Sequence, residues 1–264
     1  MKNIILKIMY LGFFGFLLAC ESNQQNQKIQ TAKMETTENP LDEISTTGGF
    51  ALVELFTSEG CSSCPSADAV ASEIAQMADE KGTPVYVLPY HVDYWNYLGW
   101  KDRFSSEQFT KRQYWYAERF QNNQVYTPQM IVNGQSEFTG SKKTMASEEI
   151  QAALQKTAQS ALKLHLKEDL SYHIASDNIP EHWALYYALV EKELSSQVSS
   201  GENRGRKLYH YSVVKSLYTL SNPQEKGKLD IKLTEKEGKF NVIAFIQDQK
   251  TAEVLAAAQI TLNL

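Results

Sequence analysis

Hydrophobic and polar positions follow one another along this chain in distinct rhythms, each implying a different structure. Residues 8–19 are an unbroken apolar run preceded by Lys2 and Lys7. From Glu21 to about Gly48 the sequence is Gln, Asn, Thr, Ser, Lys and Glu with scarcely an apolar side chain, so it is expected to stay disordered. Patterned sequence begins near Gly49. Residues 51–56 read as a buried strand. Ala67, Val70, Ala71, Ile74, Met77 and Ala78 then recur on one face of a helix that Gly82 stops. Residues 85–88 read as the next strand, which makes a βαβ unit with parallel strands and a right-handed crossover. An aromatic-rich segment, 91–100, leads into a second helix with Ser105 as N-cap and Gln108 closing a capping box. Its inward face carries Phe109, Tyr116 and Phe120. Residues 129–132 and 136–138 flank Asn133-Gly134, a strong hairpin signal. Ala146, Ile150, Ala153, Leu154, Thr157, Ala158 and Ala161 then predict a long amphipathic helix.

At Leu162 the period changes from 3.6 to 2, with Leu162, Leu164 and Leu166 alternating with Lys163, His165 and Lys167. Segments 183–190, 209–220, 229–233, 240–246 and 254–262 read as further strands without helices between them, which predicts a β-sandwich. Gly201-Glu202-Asn203-Arg204-Gly205-Arg206 is a turn between two of these strands, either a plain hairpin tip or a contact with the first half. The expected fold class is therefore α/β: a βαβ–helix–hairpin–helix domain with an enlarged helical crossover over residues 49–161, then an all-β, sandwich-like domain over 162–264.

Composition narrows the setting. The formal charge is −5, and −7 once Lys2 and Lys7 of the leader are removed, which argues against nucleic acid or an anionic lipid surface as partner. A positive start, a short apolar core and Leu17-Leu18-Ala19-Cys20 form an export signal too short to span permanently, 1–19. Cys20 directly after Ala19 resembles a bacterial lipobox, with Leu18 bulkier than usual at its place, and is expected to carry lipid. Residues 20–48 would be a disordered tether. Glu21, rather than Asp, after the acylated residue favours the outer membrane, facing the periplasm.

With Cys20 assigned to lipid, Cys61 and Cys64 are the pair that remains. They stand at the junction of a strand and a helix, with both sulfurs expected on one side of the first helical turn and on an accessible rim. A structural bridge helps most by closing a long loop, and this one closes almost none. The helix start favours a thiolate, so Cys61 is the expected attacker and Cys64 the resolving thiol. Ser62 and Ser63 offer no cation to depress the Cys61 pKa strongly, which predicts a moderate reductant or isomerase.

Val125-Tyr126-Thr127-Pro128 places a proline at the first residue of the third main strand, where a missing N–H does least harm. The order of elements, with Pro128 expected cis and Thr127 turned toward the cysteines, is the thioredoxin arrangement. Residues 53–65, Val-Glu-Leu-Phe-Thr-Ser-Glu-Gly-Cys-Ser-Ser-Cys-Pro, resemble the active-site segment of glutaredoxins in the thioredoxin superfamily. Residues 50–260 as a whole resemble a family of exported bacterial thioredoxin-like proteins catalogued as a domain of unknown function. The matching pieces are His91-Val92-Asp93-Tyr94-Trp95, Leu98-Gly99-Trp100-Lys101-Asp102, Val125-Tyr126-Thr127-Pro128-Gln129 and the Gly201–Arg206 turn residues. The resemblance implies a thioredoxin-like fold and a dithiol site, not a substrate.

His91 and Asp93 follow the second strand at its carboxyl end, where ligands bind in open α/β sheets. There His91 could stabilise the thiolate or shuttle a proton, with Asp93 fixing its tautomer; otherwise both hold the loop. Glu54 is a candidate buried acid or a carboxylate with a structural partner. Tyr94, Trp95 and Trp100 are candidate substrate-binding residues beside the dithiol, although large rings there also suit a core, as do Tyr97, Tyr114, Trp115 and Tyr116. Arg103, Lys111 and Arg112 read as solvated or salt-bridged. His165, His173, His182 and His210 lack metal-ligand spacing and are assigned no site.

The sequence thus predicts an envelope thiol–disulfide oxidoreductase without a cofactor. It would act on protein thiols or disulfides, take electrons from a membrane or soluble donor, and be held to the membrane by lipid. Two alternatives stand beside it. One is a soft-metal module binding Cu(I) through Cys61, Cys64 and His91; the other is a non-catalytic envelope binding protein.

Overall fold

The computed structural model describes residues 39–263 apart from 43, 46–47, 123, 159, 167–168, 177–178, 222 and 233–237. The leader, Cys20 and most of the tether lie outside the described residues. The tether's last part does not behave as the sequence implied. Leu41 and Ile44 are buried in the core, the Asn39 amide donates to Glu73 Oε1 at 2.7 Å, and Ser147 Oγ donates to the Pro40 carbonyl at 2.6 Å. Two isolated apolar residues in a polar run carry no periodicity, so only their docking reveals them.

Among the described residues the fold is mixed α/β, with several sheets and three α-helices. The first sheet holds β1 (Ala51–Thr57), β2 (Val85–His91), β3 (Gln129–Val132) and β4 (Ser136–Thr139) in the order β2-β1-β3-β4. β1 and β2 are parallel, and β3 runs antiparallel to β1. Helix α1 (Cys64–Lys81) links β1 to β2; a 3₁₀ turn (Asn96–Leu98) and α2 (Glu107–Arg119) link β2 to β3; α3 (Lys143–Gln155) follows β4. Pro65 sits in the first turn of α1, where a missing N–H costs no helical bond, and Gly82 ends the helix with φ 64°.

Two boundaries differ from the sequence reading. Ser106, not Ser105, caps α2, accepting from the Gln108 N–H at 3.2 Å, because the Ser105 hydroxyl is donated to the Asp102 carbonyl at 2.7 Å. α3 ends at Gln155 rather than near 161, since Lys156 turns extended and Ala161 opens the next strand.

The second half forms β5 (Ala161–Leu166), β6 (Leu170–Ala175), β7 (Trp183–Gln197), β8 (Lys207–Ser221), β9 (Lys226–Lys228), β10 (Lys239–Asp248) and β11 (Val254–Asn263). They make two sheets, β11-β10-β7-β8 and β5-β6-β9, which share one apolar cluster containing Leu162, Tyr172, Leu185, Tyr187 and Val242. β6 was not read from sequence, and β9 falls at 226–228 instead of 229–233. β7 and β8 outrun their expected ends because the apolar pattern gives way to Glu191-Lys192-Glu193, with a register shift at Leu189/Val190. The long ribbon that results carries residues 198–206 to its tip.

Alternation along β1 sets what each half touches. Ala51, Val53 and Leu55 face Ile74, Ile150 and Leu154 of the helices. Leu52 and Phe56 face the other way, against Tyr90, Phe109, Tyr116 and the second half's Val214, Ile243 and Phe245. Residues Glu38–Leu264 accordingly form one compact unit.

The hairpin between β3 and β4 shows how tightly the halves meet. Asn133 and Gly134 both have positive φ, 47° and 67°, and a Cβ on Gly134 would fall on the Ala252 carbonyl oxygen. Gly134→Ala is therefore expected to cost more than about 1 kcal/mol, read as a lowered midpoint in urea unfolding. An unchanged midpoint would contradict this packing.

Candidate functional site

The cysteines lie where β1 runs into α1. Cys61 precedes the helix and Cys64 is its first residue, so the pair does not share the first helical turn as expected. Local bonding accounts for this: the Cys61 N–H donates to the Ser58 carbonyl at 3.2 Å and the Cys64 N–H to the Cys61 carbonyl at 3.3 Å, two successive turns. Pro65 follows as the second residue of the helix. Both cysteines are free thiols. Cys61 Sγ lies 3.3 Å from Ser63 Oγ and 3.9 Å from the Thr127 carbonyl oxygen. The Thr127–Pro128 peptide is cis. The Trp95 indole N–H donates to Thr127 Oγ1 at 2.7 Å, leaving that hydroxyl able to serve the sulfurs.

The two thiols are driven apart. A hydrogen bond from the Cys64 thiol, helped by the Ser63 and Thr127 hydroxyls, outweighs burial and lowers the Cys61 pKa to about 6. Burial, followed by the donated hydrogen bond and the Asp68 charge, raises the Cys64 thiol far above its ordinary range. The absence of a cation between the cysteines therefore did not prevent depression of Cys61, because neutral donors suffice.

A buried polar cluster stands behind the pair. His91, the last residue of β2, is fully buried, and its Nδ1 meets Asp102 Oδ2 at 2.6 Å. Burial disfavours its charged form, but the Asp102 carboxylate wins and holds the His91 pKa above its usual value. Asp93 does not take this part: it accepts from the Thr110 hydroxyl at 2.6 Å, holding the loop to α2. Across from His91, with ring centroids 5.1 Å apart, lies His210 of β8, whose Nε2 is 3.0 Å from Glu59 Oε1. The second Glu59 oxygen accepts from the Trp100 indole at 2.9 Å. Burial pushes Glu59 up, but His210 and these donors bring it below the usual carboxylate range. His210, assigned no site from spacing, is thus carried into the cluster by the fold; Glu59, Asp68 and Asp102 were also missed.

Tyr94, Trp95 and Trp100 are each half-buried and hydrogen-bonded inward, Tyr94 through its hydroxyl to Gln113 Oε1 at 3.1 Å. Trp95 packs its Cβ against Gly60. Trp95 reaches the site through Thr127 and Trp100 through Glu59, whereas Tyr97, 79% exposed, points to solvent. Glu54 is salt-bridged by Arg112 at 2.5 and 2.9 Å and bonded by the Tyr116 hydroxyl, so it is a partnered carboxylate and Arg112 a buried cation rather than a solvated one.

With the fold and the cysteine geometry in view, comparison with known proteins supplies the family. A family profile described as a protein of unknown function, DUF1223, matches residues 52–247. The chain belongs to that family. It is also similar to an X-ray crystal structure of a protein from Agrobacterium tumefaciens, a structural genomics target. The identity is 27%, the TM-score 0.65, and the match covers 82% of this chain and 96% of that one. No curated protein matches.

In this DUF1223 chain the sulfurs are not on an accessible rim. Cys61 is 1% exposed and Cys64 0%. Against the backbone of the cysteine loop lies the tip of the β7–β8 ribbon, expected from sequence to be a plain turn or a contact with the first half. The Asn203 amide donates to the Glu59 and Cys61 carbonyls at 2.8 Å each, and Glu202 Oε2 accepts from the Ser62 N–H at 2.8 Å. The Ser200 hydroxyl donates to the Gly99 carbonyl at 2.5 Å. Asn203→Ala removes two hydrogen bonds worth roughly 1 kcal/mol each. Alkylation of Cys61 by iodoacetamide, followed by mass spectrometry, is expected to accelerate by up to about thirtyfold; an unchanged rate would mean that this tip does not control access.

Among the described residues no group of three or more His, Cys, Asp or Glu side chains converges to hold a metal ion. The three-ligand set Cys61, Cys64 and His91 is therefore not assembled, and His91 is turned instead to Asp102. Among the described residues no helix is long and apolar enough to cross a membrane.

Proposed function

We propose that this protein is a thiol–disulfide oxidoreductase built on a thioredoxin-like arrangement, acting on protein thiols or disulfides through Cys61 and Cys64. The sheet order β2-β1-β3-β4, with a helix leaving β1 at the cysteines and a cis proline before β3, supports the thioredoxin-like reading. The observation that carries the function is the unlike pair of thiols. Cys61, lowered to about 6, is mostly thiolate at neutral pH, while Cys64 behind it keeps its proton and donates to Cys61.

In the forward direction the Cys61 thiolate attacks one sulfur of a substrate disulfide. A Cys61–substrate disulfide forms and the other substrate sulfur leaves as a thiolate. Cys64, deprotonated, then attacks Cys61 Sγ. This forms the Cys61–Cys64 disulfide and releases the second substrate thiolate, so two electrons pass from the protein to the substrate. An external thiol donor returns them. The ribbon tip must move aside for the first attack, since Cys61 is covered. Trp95, through Thr127, and Trp100, through Glu59, hold the walls that a peptide would meet.

The leader pattern supports an exported protein anchored by lipid on Cys20, at the outer membrane and facing the periplasm. Burial of both sulfurs favours a second reading, a binding protein whose dithiol does no chemistry. Turnover of a protein disulfide with excess dithiol separates the two: the first reading requires activity that Cys61→Ser removes, and equal rates for both proteins would leave the second.

A further inference from the structure

The side chain of Trp95 joins the two loops that carry the reacting groups. Its Cβ packs against Gly60 on the cysteine loop, and its indole N–H donates to Thr127 Oγ1 at 2.7 Å on the loop before β3. The backbone on either side of Thr127 has a different support. Gln113 of α2 is fully buried, and its Nε2 donates to the Tyr126 carbonyl at 2.8 Å and to Gln129 Oε1 at 2.9 Å. The Tyr94 hydroxyl fixes that amide by donating to its Oε1 at 3.1 Å. The cis Thr127–Pro128 peptide is thus held without the indole, whose bond goes to the Thr127 hydroxyl. An indole N–H can only donate, whereas a threonine hydroxyl has one hydrogen to give and two lone pairs to receive with. With Trp95 on one lone pair, the hydroxyl hydrogen must point elsewhere. The groups it serves are the sulfurs of Cys61 and Cys64 and the Tyr94 phenol. Of these an ionised sulfur is the strongest acceptor, because charge roughly doubles the strength of a hydrogen bond.

We infer that Trp95 is a positioning residue for the dithiol, setting the polarity of the Thr127 hydroxyl so that its hydrogen is given to the Cys61 sulfur. The inference rests on the oxidoreductase reading and adds to it how the crossover between β2 and β3 acts on the reacting sulfur through one hydroxyl. The donated bond matters while Cys61 carries charge. Once Cys61 is joined to Cys64 in a disulfide, its sulfur is neutral and a weak acceptor, so the bond stabilises the reduced pair over the oxidised one. Loss of the indole N–H should therefore do two things together. It should raise the pH at which Cys61 ionises, and it should shift the pair toward its disulfide against a fixed thiol buffer. Cys64 and Ser63 also donate to Cys61, so the effect is partial. The titratable groups facing the sulfurs are each other and the Tyr94 phenol, which burial keeps protonated through the neutral range. Asp68 acts on Cys64 from one turn along α1, and Glu202 of the ribbon sits on the Ser62 N–H.

The test is the pH profile of iodoacetamide labelling at Cys61 in the reduced full-length chain, with Cys20→Ser to remove the third thiol. Trp95→Phe keeps a ring against Gly60 and removes the N–H. It is expected to raise the ionisation midpoint from about 6 by about one unit, a tenfold change in the ionisation constant. Equilibrated with glutathione at pH 7, the same variant should move about fivefold toward the Cys61–Cys64 disulfide. Thr127→Val should raise the midpoint as much, and the double variant no more than either single one, because both act through one hydroxyl. An unchanged midpoint in Trp95→Phe, or two shifts that add in the double variant, would overturn the inference. Should the phenylalanine variant not fold, the protein with Trp95 intact supplies an independent reading. In its proton NMR spectrum the Trp95 indole N–H resonance should move with the midpoint of Cys61 labelling, and a resonance that ignores that ionisation would overturn the inference. Midpoints that shift as expected in a protein that turns over no disulfide would instead sink the oxidoreductase reading alone, so the two failures are distinguishable.

Discussion

Alkylation of Cys61 is expected to follow one ionisation with a midpoint near pH 6, set chiefly by the Cys64 thiol that donates to it. The sign follows from the depressed pKa. Above pH 6 the thiolate predominates and the rate is level; below it the rate falls about tenfold per pH unit. At pH 7 a thiol of pKa 6 is about 90% ionised, against about 3% for an ordinary cysteine near 8.5. The gain in thiolate is thus about thirtyfold, partly offset by the weaker nucleophilicity of a less basic sulfur. Cys64→Ala removes the leading donor, so the midpoint should climb toward 8.5 even though Ser63 and Thr127 remain. The readout is the pH profile of iodoacetamide labelling at Cys61. A midpoint above 8 with Cys64 present would remove the asymmetry on which the chemistry depends.

The second large effect concerns the seam between the halves. Arg112 is 6% exposed and held by Glu54 of β1, with its Nη2 donating to Gln247 Oε1 of β10 at 3.0 Å. Its guanidinium lies 4.7 Å from the Tyr186 ring and 5.1 Å from that of Phe245. The cation thus ties the first sheet to the second half through charge, hydrogen bonds and ring faces together. Arg112→Met leaves Glu54 as an uncompensated buried charge and is expected to destabilise by about 3–5 kcal/mol. For a chain of this size that corresponds to roughly 10 °C in Tm. Arg112→Met with Glu54→Leu should recover much of the loss, because the orphaned carboxylate is gone. Equal Tm values for the single and double variants would show that the orphaned Glu54 carboxylate costs nothing, against this account.

What the sequence disclosed and what it withheld divide along a physical line. The β1–α1–β2 unit was legible because Val53, Leu55 and Ile74 carry strand and helix periods that need no distant partner, and the Asn133-Gly134 turn is likewise local chemistry. Cys61, Cys64 and Thr127 could be brought together from the order of elements alone. Asp68 could not be singled out, because a single polar residue on an amphipathic helix looks the same whether its neighbours are solvent or a buried histidine. Asn203 and His210 lie more than a hundred residues from the cysteines, and only the β7–β8 ribbon brings them there. Its outer part was unreadable because Glu191-Lys192-Glu193 breaks the apolar alternation while strand pairing continues. Arg112 was read as solvated or salt-bridged, and which of the two holds was not legible because its partner Glu54 is fifty-eight positions away.

The most direct measurement is a trap. In a Cys64→Ser protein, also carrying Cys20→Ser, a covalent adduct formed with a peptide disulfide cannot be resolved and should accumulate. Intact-mass and peptide-mapping analysis is expected to find one peptide per chain, joined through Cys61, formed faster at pH 7 than at pH 5 and absent when Cys61 is replaced. A protein that stays folded and carries no adduct at Cys61 after prolonged exposure would contradict the account at its centre.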